Sequence, residues 1–359
     1  MTPNTYLGNN YVDKTFQTAL LPLNLLQYIS FLSKFTIRNN FIHPKGYIYF
    51  SMSFCFVCIL IYAHFAHTKL DWLFESSMYF NTIYFAMVFN FVSYSCDGIL
   101  LYVSHIYSSK YAVEFVLKIQ KTINTFRFVS KNNFKVWKRG NWIYVGGIYF
   151  IYFIIGLLYI IIIRATFYSI LSCFAYVFIF LYYDVNIICA FRYVKLCEDC
   201  LTLWIANVRI YSKRYQIDDN ESKKINKYYI NGLLNAYSDI LNSFDMIKNI
   251  SQLPISGIIA QSFVFCWLIK NIVIISVCIK GCEEFYIHLI EAEKMCAMYL
   301  ETYKFPELKK LYKNVIRIKR AKFSKMTACG VLTIDATLPL KFFDQWAVYI
   351  VVLLQFAFH

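Results

Sequence analysis

Long apolar runs constrain this chain more than any other feature of its sequence. Each run is about 20 residues long, the length at which a helix crosses roughly 30 Å of hydrocarbon. Of the 359 residues, 59% are hydrophobic and 20% are aromatic, more than a soluble chain usually carries. The sequence therefore predicts an all-α polytopic membrane protein. The clear apolar blocks are 47–66, 78–103, 142–163, 166–190, 254–279 and 336–358.

The basic residues predict how the helices are oriented. The formal net charge is +15, and most of the 36 lysine and arginine residues fall in four segments outside the apolar blocks. Because basic segments stay on the cytoplasmic side, these segments and the N-terminus are predicted to be cytoplasmic. We therefore expect the excess positive charge to attract anionic membrane lipid, and we do not interpret it as a sign of nucleic-acid binding. The four segments are 1–46, 104–140, 191–253 and 294–325.

Two of these basic segments, 104–140 and 191–253, carry apolar residues at helical spacing. We therefore expect the membrane helices to continue as helices below the membrane. No Ser/Gly-rich linker interrupts the chain, so residues 1–359 are expected to form one domain.

The basic segments 191–253 and 294–325, on either side of the fifth apolar block, are both predicted to be cytoplasmic. The chain must therefore cross the membrane an even number of times between them. One solution is a weak extra span within 233–253, with an outer turn near Leu253–Pro254. Another is a crossing at 263–281 with a second formed partly from 282–300, and a third is that one span is missing. We favour two crossings packed into 233–281, which gives about seven transmembrane helices.

The last apolar block, which is predicted to run outward from a basic preamble, carries an uncommon polar pattern. Steps of three and four residues place one stripe along it, polar at both ends and valine-lined between. A pore-lining helix needs this pattern, because polar groups meet ions at each mouth and an apolar ring closes by dewetting. Equally open is the alternative that Gln355 hydrogen-bonds to a neighbouring helix. The stripe consists of Lys341, Gln345, Val348, Val352, Gln355 and His359.

The end of the chain resembles a known family. The stretch "VYIVVLLQF" is similar to the signature that ends insect gustatory receptors, a Thr-Tyr pair, five hydrophobic residues and Gln-Phe. Val348 stands where that family usually has Thr, while Tyr349, Gln355 and Phe356 match. Upstream, "FSKMTACGVLTID" resembles an element of small residues, glycine and aspartate that precedes the last span of those receptors. Weaker likenesses lie at 191–210 and 282–300.

This resemblance implies a gustatory chemoreceptor in the plasma membrane, typically of sensory neurons. Such a receptor is a ligand-gated, non-selective cation channel that a small-molecule tastant opens. It is a homo- or hetero-tetramer with related receptors, with seven spans and a cytoplasmic N-terminus. We expect no enzymatic activity and no cofactor. The implied pore and gate residues are Val348, Val352, Gln355 and Phe356.

The resemblance also implies how the single domain is organised. The helix 305–325 would be the cytoplasmic piece of a central anchor, with an apolar seam that suits packing between subunits. An exposed surface helix is the alternative. The seam comprises Leu308, Leu311, Val315 and Ile318. The implied parts are a cytoplasmic N-terminal segment (1–46), a helical bundle with a ligand pocket (47–281), the anchor helix (294–330) and the pore-lining helix (336–359).

The ligand would bind in the outer half of the bundle, where aromatic rings can stack on a sugar or an alkaloid and hydroxyls can hydrogen-bond to it. Charged residues inside predicted spans are rarer and more informative. Asp97 and Asp184 lie toward inner span ends, from which they can reach the interface, whereas Lys270 needs a partner or a cavity. The implied ligand-binding residues are Tyr84, Tyr159, Phe167 and Tyr168.

Cysteine and histidine spacings favour neither a metal site nor an active site. Cys197 and Cys200 form one C-x-x-C pair without a second pair, which favours two exposed thiols on a helix face. Cys282 is expected to be extracellular. His64 and His67 are one helical turn apart without an obvious acid/base partner, which is typical of interfacial histidines.

Other classes of membrane protein fit the sequence less well. A G-protein-coupled receptor would place its N-terminus outside and carry Asn-Pro-x-x-Tyr in its last span, which is absent. A secondary transporter favours internal repeats and helices broken by glycine or proline, and this chain has 11 Gly and 6 Pro without such clustering. The nearest alternative is a receptor-like relative that lacks autonomous channel activity or needs a co-receptor.

Overall fold

Helix accounts for nearly all of the regular structure. The computed structural model describes residues 10–74, 80–126, 131–163, 167–217, 227–261, 268–302, 306–328, 330 and 332–357. Within these ranges the all-α prediction is confirmed, with nine helices and two short hairpins. The helices are α1 (Lys14–Ile29), α2 (Tyr47–Phe74), α3 (Phe80–Thr125), α4 (Lys131–Ile163), α5 (Phe167–Ile217), α6 (Lys227–Gln261), α7 (Leu268–Thr302), α8 (Pro306–Lys322) and α9 (Leu338–Ala357). The strands are β1 (Phe35–Arg38), β2 (Phe41–Pro44), β3 (Thr327–Ala328) and β4 (Leu332–Thr333).

Two helices are long and apolar enough to cross a membrane when only the described residues are counted. They are Tyr47–Ala66 in α2, with a mean hydropathy of 1.9, and Asn133–Leu157 in α4, with a mean hydropathy of 1.5. The first coincides with the predicted block 47–66, and the second overlaps the block 142–163. Only 22% of each stretch is buried, unlike the core helix of a soluble protein.

Helices α3 and α5 are much longer than one membrane crossing. They contain 46 and 51 residues, respectively. At 1.5 Å per residue they are about 70 Å and 75 Å long, more than twice the thickness of the hydrocarbon core. The predicted helical continuation is therefore confirmed for the described parts of 104–140 and 191–253, and residues 127–130 and 218–226 lie outside the described ranges.

The C-terminal parts of α3 and α5 pack with α6, α7 and α8 into a dense core, which we call the lower bundle. Phe244 of α6 stacks on Phe285 of α7 with ring centroids 4.4 Å apart. Trp204 of α5 is fully buried and donates its indole N–H to the carbonyl oxygen of Leu233 at 2.8 Å. Buried aromatic rings thus tie three helices together. The lower bundle comprises residues 104–126, 184–217, 227–251, 278–302 and 306–328.

The remaining helical segments, which we call the upper bundle, pack more loosely. Large apolar side chains such as Ile59, Tyr62, Phe150 and Phe153 are exposed. Helix α9 makes few contacts with the rest of the described chain. The upper bundle comprises residues 47–74, 80–103, 142–163, 167–183, 268–277 and 338–357.

Two helices fill the interval that the charge pattern left open. Helix α6 continues through Pro254, so the predicted turn near Leu253–Pro254 is wrong. Helix α7 begins at Leu268, and the stacking of Phe244 on Phe285 shows that α6 and α7 run antiparallel. Residues 268–302 form one helix, so the second solution, in which 282–300 supply part of a separate crossing, is not the arrangement observed. Two helices cover the described part of the interval 233–281, and whether each of them crosses a membrane stays a prediction.

Helix α8 packs on its own chain through the seam that was expected to join subunits. Leu308, Leu311 and Val315 are buried against α6 and α7, so they are not available for a neighbouring subunit. The Tyr312 hydroxyl hydrogen-bonds with that of Ser212 at 2.6 Å, and Lys319 forms a salt bridge with Glu293. The expected role of the seam in subunit packing is therefore wrong for these three residues.

The N-terminal segment folds into α1 and a hairpin that the sequence did not predict. The Asp13 side chain accepts hydrogen bonds from the N–H and hydroxyl of Thr15 and caps α1. Asn39 and Asn40 have φ of 53° and 66°, which the two-residue turn between β1 and β2 requires. The Asn141 amide of α4 donates to the carbonyl oxygen of Ala19 at 2.7 Å, which fixes α1 against α4.

Candidate functional site

The hairpin β3–β4 connects α8 to α9, the predicted pore helix. Thr327 pairs with Thr333 and Ala328 with Leu332, while Gly330 has a φ of 73° that suits glycine at the turn. Beyond the strands, the N–H of Ile334 donates to the carbonyl oxygen of Met326 at 2.9 Å. The chain thus reverses direction immediately before α9 begins.

Tyr286 of α7 holds both ends of this hairpin. Its hydroxyl accepts a hydrogen bond from the N–H of Met326 at 2.9 Å and donates one to the carbonyl oxygen of Ile334 at 3.3 Å. Met326 is buried, with its sulfur 3.9 Å from the sulfur of Cys282. These contacts fix the base of α9 to the lower bundle.

Asp335 organises the first turn of α9. Its carboxylate accepts hydrogen bonds from the Thr337 hydroxyl at 2.6 Å, the Thr337 N–H at 3.1 Å and the Lys325 ammonium at 2.9 Å. The Thr337 hydroxyl, the Lys325 ammonium and the Thr337 N–H together lower the pKa of Asp335 to about 2, against partial burial. Glu283 of α7 accepts a hydrogen bond from the N–H of Ala336 at 2.8 Å. The aspartate of the family-like element therefore acts as a cap. We call these contacts of Lys325, Met326, Ile334, Asp335, Ala336 and Thr337 with Glu283 and Tyr286 the junction.

The predicted stripe of α9 is exposed wherever its side chains are described. Lys341, Val348 and Gln355 are all exposed, and Leu338 at the base of the helix is buried. Gln355 makes no hydrogen bond to any described residue of the chain. A hydrogen bond from Gln355 to a neighbouring helix therefore stays an open alternative outside the described residues. The side chains of Gln345, Tyr349, Val352, Phe356 and His359 lie outside the described set.

A cluster of polar side chains lies where α2 to α5 meet, next to the boundary between the upper and lower bundles. Asp184 is only 1% exposed and accepts a hydrogen bond from the Tyr152 hydroxyl, so it does not reach the interface as expected. His64 is also buried, with its ring centroid 5.4 Å from that of Tyr94, rather than interfacial. In membrane proteins, ionisable groups buried within the spanning helices mark functional positions by default.

A cavity of about 20 Å³ adjoins this cluster, lined by Val57, His64, Tyr94, Ser95 and Tyr182 among others. This volume holds about one water molecule, whereas pockets for drug-sized ligands measure roughly 300 Å³ or more. The cavity is therefore not the predicted tastant pocket. The side chains predicted to bind the ligand, those of Tyr84, Tyr159, Phe167 and Tyr168, lie outside the described set, as does that of Lys270.

The cysteines of the lower bundle are buried rather than exposed. Cys197 and Cys200 are both 0% exposed, and burial raises the pKa of each thiol. Cys282, which was expected to be extracellular, is buried beside Met326. Where the structure is described, no group of His, Cys, Asp and Glu side chains is arranged to hold a metal ion.

A charged network between α5 and α7 was not predicted from the sequence. The Lys195 ammonium lies 2.7 Å from the carboxylate of Glu198 and 3.4 Å from that of Glu284. A ring nitrogen of His288 lies 3.5 Å from Glu198. Burial raises the pKa of Glu198, against the opposing effect of Lys195. The acidic pairs in "CEDC" and "CEEF" were the available signal, but sequence spacing does not bring two distant helices together.

Comparison with known proteins gives no family to which the chain can be assigned. No protein-family model matches it, and no curated protein matches it. The resemblance to gustatory receptors therefore depends on the motifs in the sequence.

Proposed function

We propose that the protein is a chemoreceptor channel of the plasma membrane, opened by a small-molecule tastant and permeable to cations. In this proposal it is polytopic, with a cytoplasmic N-terminus, and α9 from each subunit of a tetramer lines the pore. The lower bundle is the cytoplasmic anchor region. The protein is not an enzyme and needs no cofactor.

The observation that carries the proposal is the exposed stripe on α9. An unpaired amide on a membrane helix costs a few kcal/mol unless it meets water, an ion or another polar group. Gln355 has no such group within the described chain, and a water-filled pore between subunits would supply one. The valines between Lys341 and Gln355 would supply the apolar ring that closes.

The junction supports a gating role for α9. Because Tyr286 and Glu283 hold the hairpin and the first turn, a movement of α7 is transmitted directly to the base of α9. A ligand that binds the upper part of the bundle more tightly in one arrangement of α7 would shift the pore between closed and open states.

Current recording from cells that express the protein, exposed to a panel of sugars and alkaloids, tests the function. Gln355→Ala is expected to change the cation selectivity of the evoked current, because it removes a polar group at the pore mouth. Phe343→Ala, an exposed position on the face of α9 opposite the stripe, is the matched control and is expected to leave selectivity unchanged. Identical selectivity in both variants and the wild type would contradict the pore assignment. A protein that reaches the surface but conducts only when co-expressed with related receptors would favour the co-receptor alternative.

A further inference from the structure

A lysine clamped between two tyrosine rings lies where α1 meets the start of α2. The Lys45 ammonium is 4.3 Å from the ring centroid of Tyr49 and 5.1 Å from that of Tyr28. The two rings are stacked with centroids 6.5 Å apart. A cation over aromatic faces is held by the ring quadrupoles, so the position of this ammonium is fixed before any ligand arrives.

Among the described residues, the clamped lysine has no acidic partner. It forms no salt bridge with any described residue, and Asp13 is the sole acidic residue in the first 66 positions of the sequence. Lys14, Lys34 and Arg38 are the other cations of this region, so its charge balance is positive. An anion is therefore the complementary partner.

Exposed apolar side chains surround this charge. Tyr28 and Ile29 at the end of α1 are 59% and 42% exposed, and Tyr47 and Ile48 at the start of α2 are 92% and 82% exposed. The exposed surface continues along α2 through Met52, within the stretch that is long and apolar enough to cross a membrane. A cation at the boundary of such a stretch, ringed by tyrosines, matches the composition of a membrane interface. We call this surface, with Lys45 at its centre, the Lys45 patch.

We propose that the Lys45 patch binds an acidic phospholipid of the cytoplasmic leaflet. The ammonium of Lys45 pairs with the anionic headgroup, and the acyl chains lie along the apolar side chains of α1 and α2. This inference rests on the membrane orientation in the proposed function and is independent of channel activity.

The continuity of the patch with α2 decides between lipid and a protein partner. A second copy of the chain would have to cover Tyr47 and Ile48 at the level where α2 enters the bilayer. Lipid already occupies that level and carries the required charge, because the cytoplasmic leaflet is rich in anionic headgroups.

The selectivity of the purified full-length protein for spin-labelled phosphatidylserine over spin-labelled phosphatidylcholine tests the proposal. The measurement uses vesicles of phosphatidylcholine and records the fraction of each labelled lipid that the protein immobilises. Lys45→Gln is expected to reduce this selectivity several-fold. Lys138→Gln, which removes an exposed cation near the start of the α4 apolar stretch, is the matched control and is expected to reduce it little.

A second variant separates the contribution of the tyrosine rings from that of the Lys45 charge. Tyr28→Leu keeps the cation and the apolar surface but removes one ring, so it is expected to weaken the selectivity less than Lys45→Gln does. Circular dichroism of each variant reports whether the fold is retained. Equal selectivity of Lys45→Gln and the wild type, or equal losses in Lys45→Gln and Lys138→Gln, would overturn the proposal. Neither result bears on evoked currents, whereas failure of the wild type to insert into vesicles would instead contradict the membrane architecture.

Discussion

The two halves of the molecule use the same kind of side chain in opposite ways. In the lower bundle, large apolar residues such as Trp204 and Phe285 are fully buried within one chain. In the upper bundle, Tyr62 is 72% exposed and Phe153 is 64% exposed. Removing apolar surface from water stabilises the lower bundle by about 1.5–3 kcal/mol for each fully buried large side chain. In the proposed membrane location the surrounding lipid tails are themselves apolar, so the upper bundle would gain nothing comparable from burying its own side chains.

The lower bundle is therefore the half that specifies the fold of a single chain. The lower bundle is a conventional core that a monomer completes by itself. The upper bundle leaves an apolar surface exposed, and in the proposed function the bilayer or neighbouring subunits cover it. Equivalent substitutions in the two halves are therefore expected to change the stability of the protein by different amounts.

Truncation of a core ring gives the largest expected contrast. Phe285→Ala removes a ring that stacks on Phe244 and should destabilise the protein by about 3–5 kcal/mol. Phe153→Ala removes an exposed ring from α4 and should change stability by less than about 0.5 kcal/mol. Denaturant unfolding of the detergent-solubilised protein measures both. Similar losses in the two variants would contradict the division into a packed and an open half.

Glycine-to-alanine substitutions in the two halves should change stability in opposite directions. A Cβ at Gly281 in the lower bundle would lie 2.5 Å from the Phe191 ring, so Gly281→Ala should destabilise by about 1–3 kcal/mol. A Cβ at Gly146 in α4 would meet nothing within 4 Å, so Gly146→Ala should stabilise by up to about 1 kcal/mol through helix propensity. The apparent melting temperature should fall in the first variant and rise in the second. A rise in both would show that α5 and α7 are less closely packed than described.

The junction between the halves should respond to pH. Because the pKa of Asp335 is lowered from 3.8 to about 2 in the folded protein, its contribution is fully present above pH 3.8 and is lost as the pH falls toward 2. Asp335→Asn keeps an oxygen that can accept from Thr337 but loses the negative charge that pairs with Lys325, so it should cost about 1 kcal/mol at neutral pH. The difference in stability between wild type and variant should shrink on acidification. A difference that does not change with pH would exclude the ionised carboxylate as the cause.

The sequence predicted most helices because their apolar blocks are bounded by basic segments, as at 47–66. It did not predict where α6 ends, because the block 254–279 is mostly apolar and its single proline, Pro254, lies inside a helix. The packing of α6 on α7 joins residues that are distant in the chain, such as Phe244 and Phe285. The junction was hidden for the same reason, since Tyr286 and Met326 are 40 residues apart in the chain.

The seam of α8 shows a different limit of sequence reasoning. Spacing of Leu308, Leu311 and Val315 predicts that one face of the helix is buried, and it is. The pattern cannot say whether the covering surface belongs to the same chain or to another subunit. The same question applies to the exposed stripe of α9: no described part of the chain covers it, and the sequence does not say whether another subunit does.

Thiol modification of α9 during current recording tests directly whether this helix lines the ion pathway. A positively charged methanethiosulfonate reagent is applied from outside to Gln355→Cys, to Phe343→Cys on the opposite face of the helix and to the wild type, which controls for the native cysteines. If α9 lines the ion pathway with Gln355 at its outer mouth, the current of Gln355→Cys should be blocked while the other two are unaffected. A Gln355→Cys current as insensitive as that of the wild type would contradict a pore lined by this stripe.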